Sequence, residues 1–270
     1  MRFTRRECLI TMEIRQAAPK DFRILVSLTA SEGWGYTEDD FQWFDRVGGK
    51  TLVAANESEI VGMVTTLDYG NVCWISNLLV KLKERGHGIG TEILSECMRL
   101  FGKRKSLSLF SYERSADFYE ANGFKSDLEA YLVSPMGCNR GRSAGVVEAK
   151  LDGAVLEMDR ACFGFVRPLV IHGLAEKGII LKLEGGGGFA IVRKDQIEPS
   201  AGPVIAGDRD LGHELLLAAL EAAGPNSRAV VLERGIEGLN YQDKIRRLHQ
   251  GAQPKIDLSM AVAFAGLELG

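Results

Sequence analysis

The spacing of apolar positions predicts an alternation of short strands and amphipathic helices. Residues 13–17 (EIRQA) suit a short strand. Phe22, Leu25, Val26 and Leu28 then recur on one face of a helix begun by Pro19-Lys20-Asp21. A glycine- and aromatic-rich stretch, 31–36 (SEGWGY), interrupts it. Thr37 followed by three acids caps a second short helix carrying Phe41 and Phe44. Residues 51–55 and 60–67 read as strands joined by the polar turn 56–59, and 72–80 reads as a buried strand. Ile89, Ile93, Cys97, Leu100 and Phe101 return at helical spacing, with Glu92, Glu96 and Arg99 between them. Residues 106–111 alternate like another strand. A helix ending at Asn122-Gly123 and a strand over 128–134 complete the first half.

Residues 134–145, rich in Gly, Ser and Arg without apolar period, read as a linker. Beyond it the element order repeats. A strand at 146–149 is followed by a helix through Leu169, Ile171 and Leu174. A strand pair (178–183 and 189–193) encloses a turn at Gly185, Gly186, Gly187 and Gly188. A strand at 202–206, a leucine- and alanine-rich helix at 211–222 and a strand at 229–232 follow. Strands and helices thus mix in an α/β (α+β) pattern, with domains at 1–134 and 145–270.

The turn between the strand ending at Val80 and the helix opening at Ile89 carries the chemistry. Arg85-Gly86-His87-Gly88-Ile89-Gly90 puts three glycines within five residues at a helix N-terminus. Unpaired backbone N–H groups, a positive dipole end and no obstructing side chains make that place a seat for an anion. It is not a nucleotide P-loop, because Gly90 is followed by Thr91 and Glu92 rather than lysine. It is not the dinucleotide fingerprint either, since Thr91 stands where the third glycine belongs.

What remains, R-x-x-G-x-G at Arg85, Gly88 and Gly90 after an apolar strand, resembles the pyrophosphate motif of the GNAT superfamily of N-acetyltransferases. A second segment, residues 113–124, resembles that superfamily's N-x-x-A-x-x-[LF]-Y-x-x-x-G-F. Ala116, Phe118, Tyr119, Gly123 and Phe124 match, while Glu113 stands where asparagine is usual. The resemblance implies acetyl-CoA as co-substrate and two tandem GNAT-like domains, each a mixed, mostly antiparallel sheet flanked by helices. It implies that the 77–80 strand splays at a bulge and pairs the pantetheine arm through Leu78, Leu79 and Val80. The pyrophosphate would then fall to Arg85, Gly86, His87, Gly88, Ile89, Gly90 and Thr91, with Phe118 and Tyr119 beside the cofactor.

Acetyl transfer to an amine needs a base for the amine and an acid for the departing thiolate. Tyr119 is the expected acid, because an ordinary phenol is neutral at pH 7. Glu32, in the loop that overhangs the acceptor groove in this fold, is the expected base, with Asp68 and Tyr69 as competitors. His87 lies inside the phosphate turn and is expected to contribute backbone only.

In the second half Gly207-Asp208-Arg209-Asp210-Leu211-Gly212 takes the place of the phosphate turn, with two aspartates that repel phosphate. This half is therefore expected to be degenerate and non-catalytic. An acceptor cleft between the halves, lined by 31–36 and the 178–193 hairpin, is the corresponding expectation.

Composition narrows the partners. With 33 basic and 36 acidic residues the net charge is −3, which gives no general attraction to nucleic acid or anionic membrane. No apolar run approaches the ~20 residues of a membrane span. The basic segment 1–11 lacks a cleavage site and is read as an extension ahead of Met12 rather than a signal peptide. Five scattered cysteines with no CxxC spacing indicate neither zinc nor a redox pair and suit a reducing, cytoplasmic compartment. The acceptor expected is a small-molecule primary amine, cationic by the acids around Glu32. A protein amino group, or acyl-CoA binding without turnover, are the alternatives. A homodimer is left open, and no metal is expected.

Overall fold

The computed structural model describes residues 12–101, 105–137, 145–194 and 199–270. The readings of segment 1–11, of Cys8 and Cys138 and of most of the linker lie outside the described residues. The first half runs β1 (Glu13–Gln16), α1 (Phe22–Ala30), α2 (Glu38–Arg46), β2 (Gly49–Ala55), β3 (Ile60–Asp68), β4 (Val72–Val80), α3 (Ile89–Phe101), β5 (Ser106–Tyr112), α4 (Ala116–Ala121) and β6 (Lys125–Pro135). The second half runs β7 (Val146–Ala149), α5 (Gly153–Phe163), α6 (Pro168–Lys177), β8 (Gly178–Leu183), β9 (Gly188–Arg193), β10 (Ser200–Ala206), α7 (Arg209–Ala223), β11 (Ala229–Val231), β12 (Leu239–Gln250) and β13 (Ala261–Phe264).

Local chemistry sets the helix starts. Thr37 and Asp40 form a reciprocal capping box at α2, with Asp40 Oδ2 accepting from Thr37 N at 2.9 Å and Asp40 N donating to Thr37 Oγ1 at 3.3 Å. Asp152 caps α5 through Val155 N, and Gly164 closes that helix in the left-handed region at φ 68°.

All described strands join one mixed sheet in the order β1-β2-β3-β4-β5-β12-β6-β11-β13-β10-β9-β8-β7. The halves interlock within it. β12, from the second half, lies antiparallel between β5 and β6, while β6, from the first, pairs β12 on one edge and β11 on the other.

β12 was not legible as a strand because its sequence, LNYQDKIRRLHQ, shows little apolar alternation. Cross-strand charge takes the place of that pattern. Arg247 meets Asp127 at 2.9 Å, Lys244 meets Glu129 at 2.5 Å, and Arg246 reaches Glu120 of α4 at 3.0 Å.

Three cores cover the sheet. On one face α3 buries Ile89, Ile93, Leu94 and Cys97 over the first half, and α7 buries Leu215, Leu216, Ala219 and Leu220 over the second. The opposite face carries one core shared by both halves, in which Phe22, Phe41, Phe44 and Trp74 cluster with Phe163, Ile171, Phe189 and Phe264. Fully burying each such side chain is worth roughly 1.5–3 kcal/mol. Helices α2 and α6 cross closely there, and only glycine fits at position 173. A Cβ on it would stand 2.7 Å from Val47 and 2.9 Å from Trp43. Apolar packing therefore fills the space between the halves, and the β8–β9 hairpin sits near the far edge of the sheet.

Candidate active site

β4 and β5 run parallel and pair at Val72↔Ser106, Cys73↔Leu107 and Trp74↔Ser108. Past Trp74 the register of β4 against β3 shifts, so that Thr65 opposes Ser76 but Met63 opposes Leu79. That bulge is centred on Asn77, whose φ of 53° is the left-handed conformation that asparagine tolerates better than most residues. β5 meanwhile pairs β12 on its other edge as far as Tyr112. The two central strands thus diverge into a wedge floored by Leu78, Leu79 and Val80. Ser76, one position before the bulge, has a buried Oγ without a hydrogen-bond partner among the described residues.

The glycine turn stands where the wedge ends. Gly86 and Gly88 have φ of 82° and 86°, and a Cβ on either would meet nothing within 4 Å, so the space above the α3 N-terminus is open. The first N–H groups of α3 have no carbonyl in the preceding turn to bond and face that space with the positive end of the helix dipole. Residues of this kind fit a pyrophosphate. His87 Nδ1 lies 3.2 Å from the Glu84 carbonyl, and the side chain is exposed. Arg85 Nε donates to the Val80 carbonyl at 2.9 Å, and its Nη2 meets Glu32 Oε1 at 2.6 Å. Glu32 is thus engaged beside the phosphate turn rather than at the bulge. Thr91 is exposed on the first turn of α3.

α4 closes the same side. Phe118 reaches the glycine turn, where a Cβ on Gly90 would come within 3.1 Å of its ring. Tyr119 stacks edge-on to Phe118 and Phe124, with ring centroids 5.2 and 6.0 Å away, against the core under α3. Burial pushes its phenol well above the usual range, so it stays protonated at neutral pH.

The competitors for the base are placed elsewhere. Asp68 pairs with Lys105, and the Tyr69 hydroxyl donates to the Leu269 carbonyl at 2.9 Å while its ring stacks on Phe165. Both lie at the end of β4 away from the bulge.

Sequence reasoning missed the groups that gather at the bulge on the shared-core face. The Tyr36 hydroxyl is 2.9 Å from Asn77 Oδ1 and 3.1 Å from Glu268 Oε1, and the two oxygens compete for its single proton. Burial first, and then the charge of Glu268, hold the Tyr36 phenol far above its usual value. Tyr112, at the end of β5, is raised by burial and by the nearby charges of Asp243 and Glu268.

Glu268 arrives on the last residues of the sequence, which are pinned in place. Trp74 Nε1 donates to the Leu267 carbonyl at 3.1 Å. Arg167, buried and paired with Asp159 at 2.8 Å, donates to the carbonyls of Leu269 and Gly270. No local signal marked Glu268. An asparagine within an otherwise apolar strand was the available hint of the bulge.

The second half has the same opening and fills it. β10 and β11 touch in parallel at Ser200↔Arg228 and then part. β13 enters the gap antiparallel to both, through Val204↔Ala263 and Val231↔Ala263. At the start of α7 the Asp208 carboxylate accepts from Leu211 N at 3.0 Å, so the helix end is capped by its own chain. The cavity left between α7 and β13, about 230 Å³, is below the ~300–1,000 Å³ of ordinary ligand sites.

A wedge between diverging parallel strands, ending on a glycine turn, defines an acyltransferase of the GNAT class, and the comparisons with known proteins agree. Residues 48–126 and 155–234 each match an acetyltransferase (GNAT) domain family. The chain belongs to the GNAT acetyltransferases, as a tandem protein with two such domains. No curated protein matches its sequence.

Among solved structures, a candidate acetyltransferase from Pyrococcus horikoshii is similar over 100% of this chain and 99% of its own, with TM-score 0.83 and 21% identity. A tandem GNAT protein from the clavulanic acid biosynthesis pathway matches 91% of this chain and 100% of its own, with TM-score 0.60 and 14% identity. A GCN5-related N-acetyltransferase from Sphaerobacter thermophilus matches 92% and 98%, with TM-score 0.59 and 12% identity. At these identities the likeness is one of fold.

Among the described residues no helix is long and apolar enough to cross a membrane. No group of three or more His, Cys, Asp or Glu is placed there to hold a metal. Cys73, Cys97 and Cys162 are buried free thiols.

Proposed function

We propose that the protein is an acetyl-CoA-dependent N-acetyltransferase acting on a small-molecule primary amine, with its single catalytic site in the first half. The observation that carries the reading is the β4–β5 wedge, opened by the Asn77 bulge and ending on the Gly86–Gly88 turn. When bound, acetyl-CoA supplies an activated acetyl thioester. The backbone of Leu78, Leu79 and Val80 holds the pantetheine arm as a neighbouring strand would, and the turn from Arg85 to Thr91 takes the pyrophosphate. Phe118 and Tyr119 close the site. Tyr119, kept protonated by its burial, gives its proton to the departing thiolate. Glu32, held by Arg85, keeps the rim of the turn in place. The second half, with its wedge filled by β13 and α7 capped by Asp208, buttresses the first.

The small acceptor is proposed to meet the acetyl group where residues 265–270 cross the shared-core face beside the bulge. Glu268 and Asp243 stand there together with Arg114 and Arg228, so the local charge is mixed.

The test is release of free thiol from acetyl-CoA over a panel of small amines, with N-terminal and lysyl peptides alongside. Acceptor-stimulated release by small amines supports the reading. Release with peptides alone makes the protein a polypeptide acetyltransferase, and binding without release with any acceptor makes it an acyl-CoA-binding module.

A further inference from the structure

Three acids of the first half are already paired. Glu32 is taken by Arg85, Asp68 by Lys105, and Glu59 by Lys81 and Lys83. Against the bulge stands a carboxylate from the opposite end of the chain. We propose that Glu268 is the acceptor-side base of this site, delivered across the molecule by residues 265–270, so that the second half completes the catalytic centre of the first. The inference rests on the acetyltransferase reading above.

Three observations converge on it. Glu268 is partly exposed, whereas its neighbours Leu269 and Gly270 are buried, so the segment is anchored beside a residue that keeps access to solvent. The anchor is specific and comes from both halves: Tyr69 and Trp74 of the first and Arg167 of the second all donate to backbone carbonyls of this segment. The carboxylate meets the Tyr36 hydroxyl, which is itself at Asn77, the residue that opens the wedge. A base must lie within hydrogen-bond reach of the proton it removes, so the role requires the acetyl group to lie at the bulge. The charged and titratable groups around Glu268 include Tyr36 from the α1–α2 loop, with Asp40 of α2 beside it, and Tyr112 from β5. Asp243, Arg114 and Arg228 stand around Tyr112, and buried Arg167 lies behind the segment.

The step balances with water as proton carrier. The ammonium first gives one proton to Glu268, which passes it to water; the neutral nitrogen then attacks the acetyl carbon, an amide C–N bond forms, and the C–S bond breaks with its electron pair on sulfur. The second nitrogen proton goes to Glu268, and Tyr119 protonates the thiolate and is reprotonated from water.

The experiment compares wild-type protein with Glu268→Gln and Glu268→Ala, using acetyl-CoA and the best amine of the panel. Gln preserves the shape and a partner for Tyr36 but cannot take a proton. Expected are unchanged acetyl-CoA affinity and a kcat lowered on the order of 10²–10⁴-fold in both variants. Added formate is expected to restore part of the rate to the Ala variant and none to Gln. Folded variants with kcat within about threefold of wild type, or a slowed Ala variant that formate does not rescue, would overturn the assignment, because a merely structural tie is not restored by a small base. If both variants unfold, Glu268→Asp decides: a lowered kcat supports the role, and a wild-type kcat overturns it. Wild-type protein that releases no thiol with any amine removes the acetyltransferase reading and this assignment together. An active wild type with an equally active Gln variant removes this assignment alone.

Discussion

Tyr36 and Glu268, 232 positions apart, meet through a 3.1 Å contact between the phenolic hydroxyl and Oε1. The same hydroxyl reaches Asn77 at 2.9 Å, so one proton ties the α1–α2 loop, the bulge of β4 and the end of the second half. Tyr36→Phe keeps the ring packing on Phe41 and Phe44 and removes only that tie. Leaving the two acceptors without it is expected to lower stability by about 1–3 kcal/mol. Denaturant unfolding reads that change. Steady-state kinetics are expected to show kcat lowered about tenfold with KM for acetyl-CoA unchanged.

The glycine turn makes a separate demand. Gly88 holds φ of 86° with open space where a Cβ would go. Gly88→Ala places a methyl group where the phosphate is expected and adds roughly 1 kcal/mol of left-handed strain. Expected are a folded protein, since nothing within 4 Å clashes, and acetyl-CoA affinity reduced at least about tenfold by calorimetry. Unchanged affinity would place the phosphates elsewhere.

How much of this was legible in the sequence depends on how local each feature is. The strand at 72–80, the turn and the helix from Ile89 form one contiguous unit, and apolar spacing plus three glycines specify it without outside help. The segment around Tyr119 is equally local. The interlocking of the halves was not legible. β12 owes its place to ion pairs with Asp127, Glu129 and Glu120, whose partners cannot be paired from sequence. The tetraglycine hairpin was legible as a turn, but its place at the far edge of the sheet is a matter of topology. The filling of the second wedge by β13 is long-range too, as is the arrival of Glu268 at Asn77. The acids at 208 and 210 were read only as repelling an anion, whereas Asp208 also caps α7.

Arg167 is the hinge between stability and the site. Its side chain is fully buried, pairs with Asp159 and lies 4.0 Å from the Phe163 ring centroid while donating to Leu269 and Gly270. Arg167→Met leaves Asp159 as an uncompensated buried charge, with an expected cost of about 3–5 kcal/mol. Arg167→Met combined with Asp159→Leu is expected to recover much of that stability but not full activity, because Leu269 and Gly270 still lose the hydrogen bonds from Arg167 while those from Tyr69 and Trp74 remain. Thermal unfolding and kcat measured on both variants separate the two effects.

Buried phenols set the alkaline limit. Burial raises the pKa of Tyr36, Tyr69, Tyr112 and Tyr119 above the ordinary value of 10. In the unfolded chain these groups ionise near pH 10, while in the folded protein they keep their protons to higher pH. Their contribution is therefore fully present below about pH 10 and is lost as pH rises toward the folded values. Thermal midpoints are expected to fall steeply above roughly pH 10, less so in Tyr119→Phe. A flat profile across that range would contradict the burial of these groups.

The most direct measurement is a calorimetric titration of acetyl-CoA into the full-length protein. One open wedge and one filled by β13 require binding of a single equivalent per chain, abolished or weakened by Gly88→Ala and unaffected by Asp208→Asn in the second half. Two equivalents per chain, or no binding at all, would contradict the assignment of the β4–β5 wedge as the one acetyl-CoA site.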